Sequence, residues 1–158
     1  MSKVPMTVRG HQLLEEELKR LKRVERPKVI AAIAEARSHG DLSENAEYDA
    51  TREQQGFIEG RIAELESSLS IAEVIDPVKI AVEDKVVFGA HLELYDVDED
   101  KTVNYQLVGN LESDLASGKI SVESPIGRAL LGKHDGDEVE FDSPGGKRTF
   151  EILKIEYR

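Results

Sequence analysis

The stretch Ile58-Glu59-Gly60-Arg61-Ile62-Ala63-Glu64-Leu65-Glu66-Ser67-Ser68-Leu69-Ser70-Ile71-Ala72 decides the fold of the first half of this chain. Its apolar positions Ile58, Ile62, Leu65, Leu69 and Ala72 are spaced four, three, four and three residues apart. That spacing is a heptad seam, which needs a second helix to cover it. The second helix lies upstream. Thr7 is placed to cap it after Pro5-Met6, and apolar residues follow at Leu14, Leu18, Leu21 and Val24. Beyond Pro27 the stripe resumes at Ile30, Ile33 and Ala36. Pro27 removes one helical hydrogen bond, so a bend or local break is expected there. His39-Gly40-Asp41-Leu42-Ser43 leaves room only for a tight turn, and the second helix begins near Glu44. The two helices must then be antiparallel, each spanning about 40–45 Å at 1.5 Å per residue. Towards the turn the residues become small (Ala31, Ala32, Ala34, Ala36, Ala46, Ala50), which predicts a thin and less stable distal end.

Asp76-Pro77 closes this pattern, because proline disfavours helix at the residue before it. The expected organisation is a hairpin over 1–75 with an acidic tip at 40–48, a linker at 76–80, and a globular domain over 81–158. In that domain Val86, Phe88, Ala90, Leu92 and Leu94 alternate with Val87, Gly89, His91, Glu93 and Tyr95, the period of a half-buried strand. Further strands are expected at Thr102–Val108 and Lys119–Glu123, with a final hairpin of Glu138–Phe141 and Arg148–Ile155 around Pro144-Gly145-Gly146. Ser124-Pro125 reads as an N-cap with Pro at the first helical position, opening a short helix that Gly132 stops. The fold class is α+β in two domains: an antiparallel helical coiled-coil hairpin, then an antiparallel sheet with a short helix.

The chain has 158 residues, 34% of them charged, with 21 Lys+Arg against 32 Asp+Glu. The net charge of −11 argues against tight non-specific binding to duplex DNA. Most of that charge lies after residue 75. No cysteine is present, which excludes a disulfide scaffold, a thiol nucleophile and a cysteine zinc site. No apolar run approaches the ~20 residues of a membrane span. Met1-Ser2-Lys3-Val4-Pro5 lacks an apolar signal core, so a cytoplasmic location is expected.

The tip concentrates the residues with chemical potential. Asp41 and Glu44 lie three apart at the start of the second helix. One reading is a capping box, in which Asp41 caps the helix and Glu44 reaches back to it. The other is a pair of oxygen ligands for a hard cation such as Mg²⁺, too few to hold it alone but enough to complete another site. Arg37 and Arg52, one to two turns behind, are either solvated helix charges or phosphate contacts. Nearer the base, Lys19, Arg20, Lys22, Arg23, Arg26 and Lys28 form a basic stretch suited to an acidic surface. His11, His39, His91 and His134 show no metal-ligand spacing, and the glycine-rich turns match no phosphate-loop pattern. Nothing supports a self-contained active site.

The tip Gly40-Asp41-Leu42-Ser43-Glu44-Asn45-Ala46-Glu47-Tyr48 resembles the signature of the GreA-type family of bacterial transcript-cleavage factors. Ala31–Arg37, Arg52–Gly56, Ser124–Gly132 and the ending from Pro144 to Tyr157 resemble it as well, so the likeness covers nearly the whole chain. The resemblance implies a protein that binds backtracked bacterial RNA polymerase. An FKBP-like domain would dock at the rim of the secondary channel and the coiled coil would thread inward. Asp41 and Glu44 would help hold a weakly bound Mg²⁺ of the polymerase active centre, with no cofactor of the chain's own. Arg37 and Arg52 match the family's RNA-contacting basic patch, and Asn45 and Tyr48 lie in the tip motif, where they would orient the RNA 3′ end or the turn. Glu123, Ser124, Pro125 and Ile126 match the region that meets the polymerase rim. Ser43 stands where the family often carries Lys. A monomer with no membrane partner is expected.

Three other readings compete. A relative entering the same channel as an inhibitor would carry a different tip. A prolyl isomerase would need an aromatic-lined apolar pocket in the second half. A coiled-coil holdase would expose an apolar tip, whereas this one is charged.

Overall fold

The structure, a computed structural model, describes residues 3–39 and 46–158. The chain divides into two compact units. One holds His11–Ala72, and the other holds Lys3–Gly10 together with Glu73–Arg158.

The first unit is a helical hairpin. Helix α1 (Val8–Arg20) runs through a π-helical turn (Leu21–Glu25) into α2 (Arg26–Ser38), and α3 (Ala46–Ser70) returns. Thr7 caps α1 as expected, its Oγ1 accepting the Gly10 amide at 3.0 Å. Ion pairs His39–Glu47 (3.4 Å), Arg26–Glu59 (2.8 Å) and Lys22–Glu66 (3.6 Å) descend one helix as they ascend the other, which fixes the antiparallel sense.

The expected break at Pro27 is instead the π turn before it. Pro27 has no amide to offer the preceding turn. The Arg26 amide reaches back five residues to the Leu21 carbonyl, which keeps the helix continuous with one extra residue in the turn. That extra residue rotates everything downstream. The regular continuation of Leu14, Leu18 and Leu21 would reach 25, 28, 32 and 35. The seam instead buries Val29, Ile33 and Ala36. The predicted stripe is therefore corrected at two places. Val24 (53% exposed) and Ile30 (51%) face solvent, and Val29 (2%) takes the inward position. On α3 the heptad holds: Ile58, Ile62 and Leu65 are buried and Leu69 is half-buried. It also continues towards the tip through Gln55, Thr51 and Tyr48, all half-buried.

In the second unit, β1 (Val4–Thr7) pairs with β2 (Ala72–Ile75). Residues 72–75, expected at the end of the helix, are therefore strand. Asp76 then caps a one-turn helix, α4 (Pro77–Ile80), by accepting the Val78 amide at 3.1 Å. The five-stranded sheet has the order β5-β4-β3-β7-β6, with β3 (His91–Asp96), β4 (Lys101–Val108), β5 (Lys119–Ser121), β6 (Glu138–Ser143) and β7 (Gly146–Glu156). The antiparallel sheet expected from the sequence holds for β4-β3-β7-β6, but β5 pairs parallel to β4, with Leu107 opposite Ile120. Two short 3-10 turns (Asn110–Glu112 and Leu115–Ser117) carry the chain back to start β5 in the same direction as β4. The strand predicted from Val86 begins only at His91, because Gly89 turns the chain with φ +87°. Alternation holds from there, with Leu92 and Leu94 inward. They join Val86, Leu107, Ile120, Leu130, Val139, Phe150 and Ile152 in a mostly aliphatic core, on which the short helix α5 (Pro125–Leu130) lies.

Candidate functional site

The hairpin end is built from α2 and α3. Arg37 is in the last turn of α2, where a cation suits the negative end of the helix. Its guanidinium sits 5.8 Å from the centroid of the Tyr48 ring on α3, a cation–π contact. Arg52 is one turn further along α3, on the same face as Tyr48 by helical spacing, and is exposed. Three predicted residues, Arg37, Tyr48 and Arg52, are thus gathered at one end of the hairpin. Asp41, Glu44 and Asn45, the remaining predicted tip residues, lie outside the described residues.

Thr51, which the sequence reading passed over, belongs to this end. Its hydroxyl donates to the carbonyls of Glu47 (3.0 Å) and Tyr48 (2.9 Å). The signal that identifies it is the heptad, which runs unbroken from Tyr48 through Thr51 and Gln55 to Ile58. Polar seam residues keep this end poor in buried apolar area. Further from the tip the seam is clasped by charge. Arg61 makes a two-point fork to Glu17 (2.7 and 2.9 Å) and also reaches Glu64 (2.6 Å). Arg61 holds the Glu17 carboxyl below its ordinary range, and Arg26 does the same to Glu59.

A second cluster of predicted residues lies on the sheet unit. The Ser124 hydroxyl donates to the Ser121 carbonyl (2.7 Å) and accepts the Gly127 amide (3.0 Å), capping α5. The Ser121 hydroxyl accepts the Glu123 amide at 3.0 Å. Glu123 and Pro125 are exposed while Ser124 and Ile126 are half-buried, so the two classes alternate along a turn braced from below. Gly127 permits this, since a Cβ there would sit 2.1 Å from the Ser121 carbonyl oxygen. The four residues form one surface loop.

Across the sheet lies a cavity of about 330 Å³ lined by His91, Glu93, Asn104, Gln106, Lys154 and Glu156 among others. Burial pushes the His91 imidazole below its ordinary pKa, and the nearby Arg158 charge adds to this. Tyr105 is the single aromatic in this lining, which is polar and charged rather than the aromatic, apolar pocket an isomerase would need. Among the described residues no group of three or more His, Asp or Glu converges to hold a metal. No described helix is long and apolar enough to cross a membrane.

A helical hairpin ending in a cationic and aromatic cluster, carried with a five-stranded sheet unit, defines a two-unit α+β protein. Residues 4–74 match the family described as "Transcription elongation factor, N-terminal", and residues 81–157 match "Transcription elongation factor, GreA/GreB, C-term". The chain is 58% identical over 157 residues to the transcription elongation factor GreA of Alkalilimnicola ehrlichii, covering 99% of each protein. It is 57% identical, with the same coverage, to the GreA of Neisseria meningitidis serogroup A. Among solved structures it is similar to the GreA factor homolog 1 (Gfh1) protein of Thermus thermophilus, at 28% identity and a TM-score of 0.45, covering 98% of this chain and 99% of that one. The chain belongs to the GreA/GreB family of transcription elongation factors.

Proposed function

We propose that this protein binds backtracked bacterial RNA polymerase, enters its secondary channel with the hairpin, and stimulates the polymerase's own cleavage of the transcript 3′ end. The observation that carries this reading is membership of the elongation-factor family together with the carboxylates Asp41 and Glu44, three apart in the sequence between α2 and α3. In this reading the chain has no autonomous active site. Carboxylate oxygens are the donor type that Mg²⁺ takes, and two of them complete a site without making one. Mg²⁺ held jointly with the polymerase would supply Lewis-acid activation for phosphodiester hydrolysis. Asp41 and Glu44 provide the two oxygen donors. Arg37 and Arg52 hold the extruded RNA by its phosphates, with Arg37 braced against Tyr48. Asn45 offers an amide to orient the RNA end or the turn. Glu123, Ser124, Pro125 and Ile126 dock on the rim of the channel, and the braced α5 loop suits that role. The protein acts as a monomer in the cytoplasm.

The test is release of a short 3′ RNA fragment from a stalled, backtracked polymerase complex in Mg²⁺. Wild type is expected to release it, while Asp41→Ala and Glu44→Ala bind the complex but do not. Equal behaviour of all three would make the carboxylates helix caps and nothing more.

A further inference from the structure

We propose that the groove between α1, the π turn and the C-terminal end of α3 is a docking site for an acidic protein segment with an apolar anchor. The inference rests on the polymerase reading above and takes that segment to be an acidic surface element of the same enzyme. In a chain of net charge −11, residues 19–28 carry six cations and a single carboxylate, Glu25. Three of those cations are neutralised: Arg20 by Glu25 (3.3 Å), Lys22 by Glu66 (3.6 Å) and Arg26 by Glu59 (2.8 Å). Lys19 and Arg23 have no ion pair among the described residues, and both line a groove of about 730 Å³. Leu18 and Leu69, both half-buried, give the groove its apolar surface.

Charge complementarity chooses the occupant. Two unneutralised cations flank an apolar surface, which matches a side chain such as Leu or Phe set beside two carboxylates. Glu15 and Glu66 also line the groove, Glu66 already paired with Lys22, and a phosphodiester backbone has no apolar group to set against Leu18 and Leu69. A protein segment therefore fits where a nucleic acid does not. The groove is on the hairpin unit and shares no residue with the hairpin end or the α5 loop.

The experiment uses the full chain and purified bacterial RNA polymerase in a stalled, backtracked complex. Affinity is measured at two salt concentrations, and cleavage at saturating factor. The Lys19→Glu/Arg23→Glu double variant is expected to bind about tenfold more weakly with a shallower salt dependence, and to cleave normally once saturated. Lys28→Glu, half that charge change and away from the groove, is expected to keep wild-type affinity. Leu69→Gln, checked for unchanged helicity, is expected to weaken binding without altering the salt dependence. Wild-type affinity in the double variant, with cleavage intact, overturns the groove assignment and leaves the function standing. Loss of RNA crosslinking in place of polymerase affinity overturns it in favour of a nucleic-acid contact. A wild-type protein that does not bind polymerase overturns both.

Discussion

The Arg37 guanidinium rests 5.8 Å from the centre of the Tyr48 ring, joining the last turn of α2 to the first turns of α3 across the hairpin end. The contact holds a flexible cation in one place before any partner arrives. Tyr48→Leu is expected to weaken retention of the backtracked complex about threefold, since the ring face provides the attraction. In a double-mutant cycle with Arg37→Gln, the two losses should not add. Additive losses would mean that the two side chains act separately.

The π turn supports a sharper expectation. One extra residue in 21–25 sets the seam of α2, so deleting exposed Val24 should restore a regular helix while keeping Val29, Ile33 and Ala36 inward. The seam is kept, so the cost in thermal unfolding should be that of Pro27 inside a regular helix, about 3 kcal/mol. Deleting Ala31 instead rotates Ile33 and Ala36 out of the seam and should cost about 2–5 kcal/mol.

Asp96 is 1% exposed and ends β3. Its carboxylate accepts the amides of Asp98 and Glu99 (3.1 Å each) and the Arg148 guanidinium, and so closes the turn between β3 and β4. Asp96→Ala removes all three contacts and leaves Arg148 only the Asp98 carboxylate, 3.6 Å from its Nε. Chemical denaturation should show the sheet unit destabilised by about 3–5 kcal/mol.

Stability should fall in acid with a known sign. Arg61 lowers the Glu17 pKa below 4.5, and Arg26 lowers that of Glu59. A depressed carboxylate contributes fully above its unfolded value and loses that contribution as pH falls through its folded value. Hairpin stability from these pairs should therefore be flat above about pH 5 and decline below 4.5. Glu17→Gln should flatten the decline in a pH series of thermal melts.

Gly127→Ala brings a Cβ to 2.1 Å from the Ser121 carbonyl oxygen, so α5 must lift from β5. A loss of about 1–3 kcal/mol is expected in denaturation. If the α5 loop docks on polymerase, affinity should fall with it while cleavage at saturation persists.

Much of this was legible in the residues. The heptad of Ile58 to Leu69, the Thr7 cap and the Ser124-Pro125 helix start are local signals, and local physics decides them. What escaped was decided at a distance. β1 is four residues long, and its partner lies almost seventy residues away, so nothing in Val4–Thr7 announces a strand. The parallel pairing of β5 depends on the 3-10 crossover, not on the composition of Lys119–Ser121. The inward turn of Val29 follows from a single inserted residue that Pro27 signals but does not locate. At the hairpin end, Arg37 and Tyr48 were each legible as candidate site residues, while their contact and the polar seam at Thr51 and Gln55 required the helix register to be seen.

The most direct test of the central claim is the Mg²⁺ dependence of transcript cleavage in a backtracked polymerase complex, with and without the factor. If Asp41 and Glu44 supply ligands to a metal the polymerase holds weakly, wild type should lower the Mg²⁺ concentration for half-maximal cleavage by about tenfold or more. Asp41→Asn/Glu44→Gln should bind as well as wild type and leave that midpoint where it is without factor. A midpoint unmoved by wild type, or moved equally by the double variant, would contradict the account.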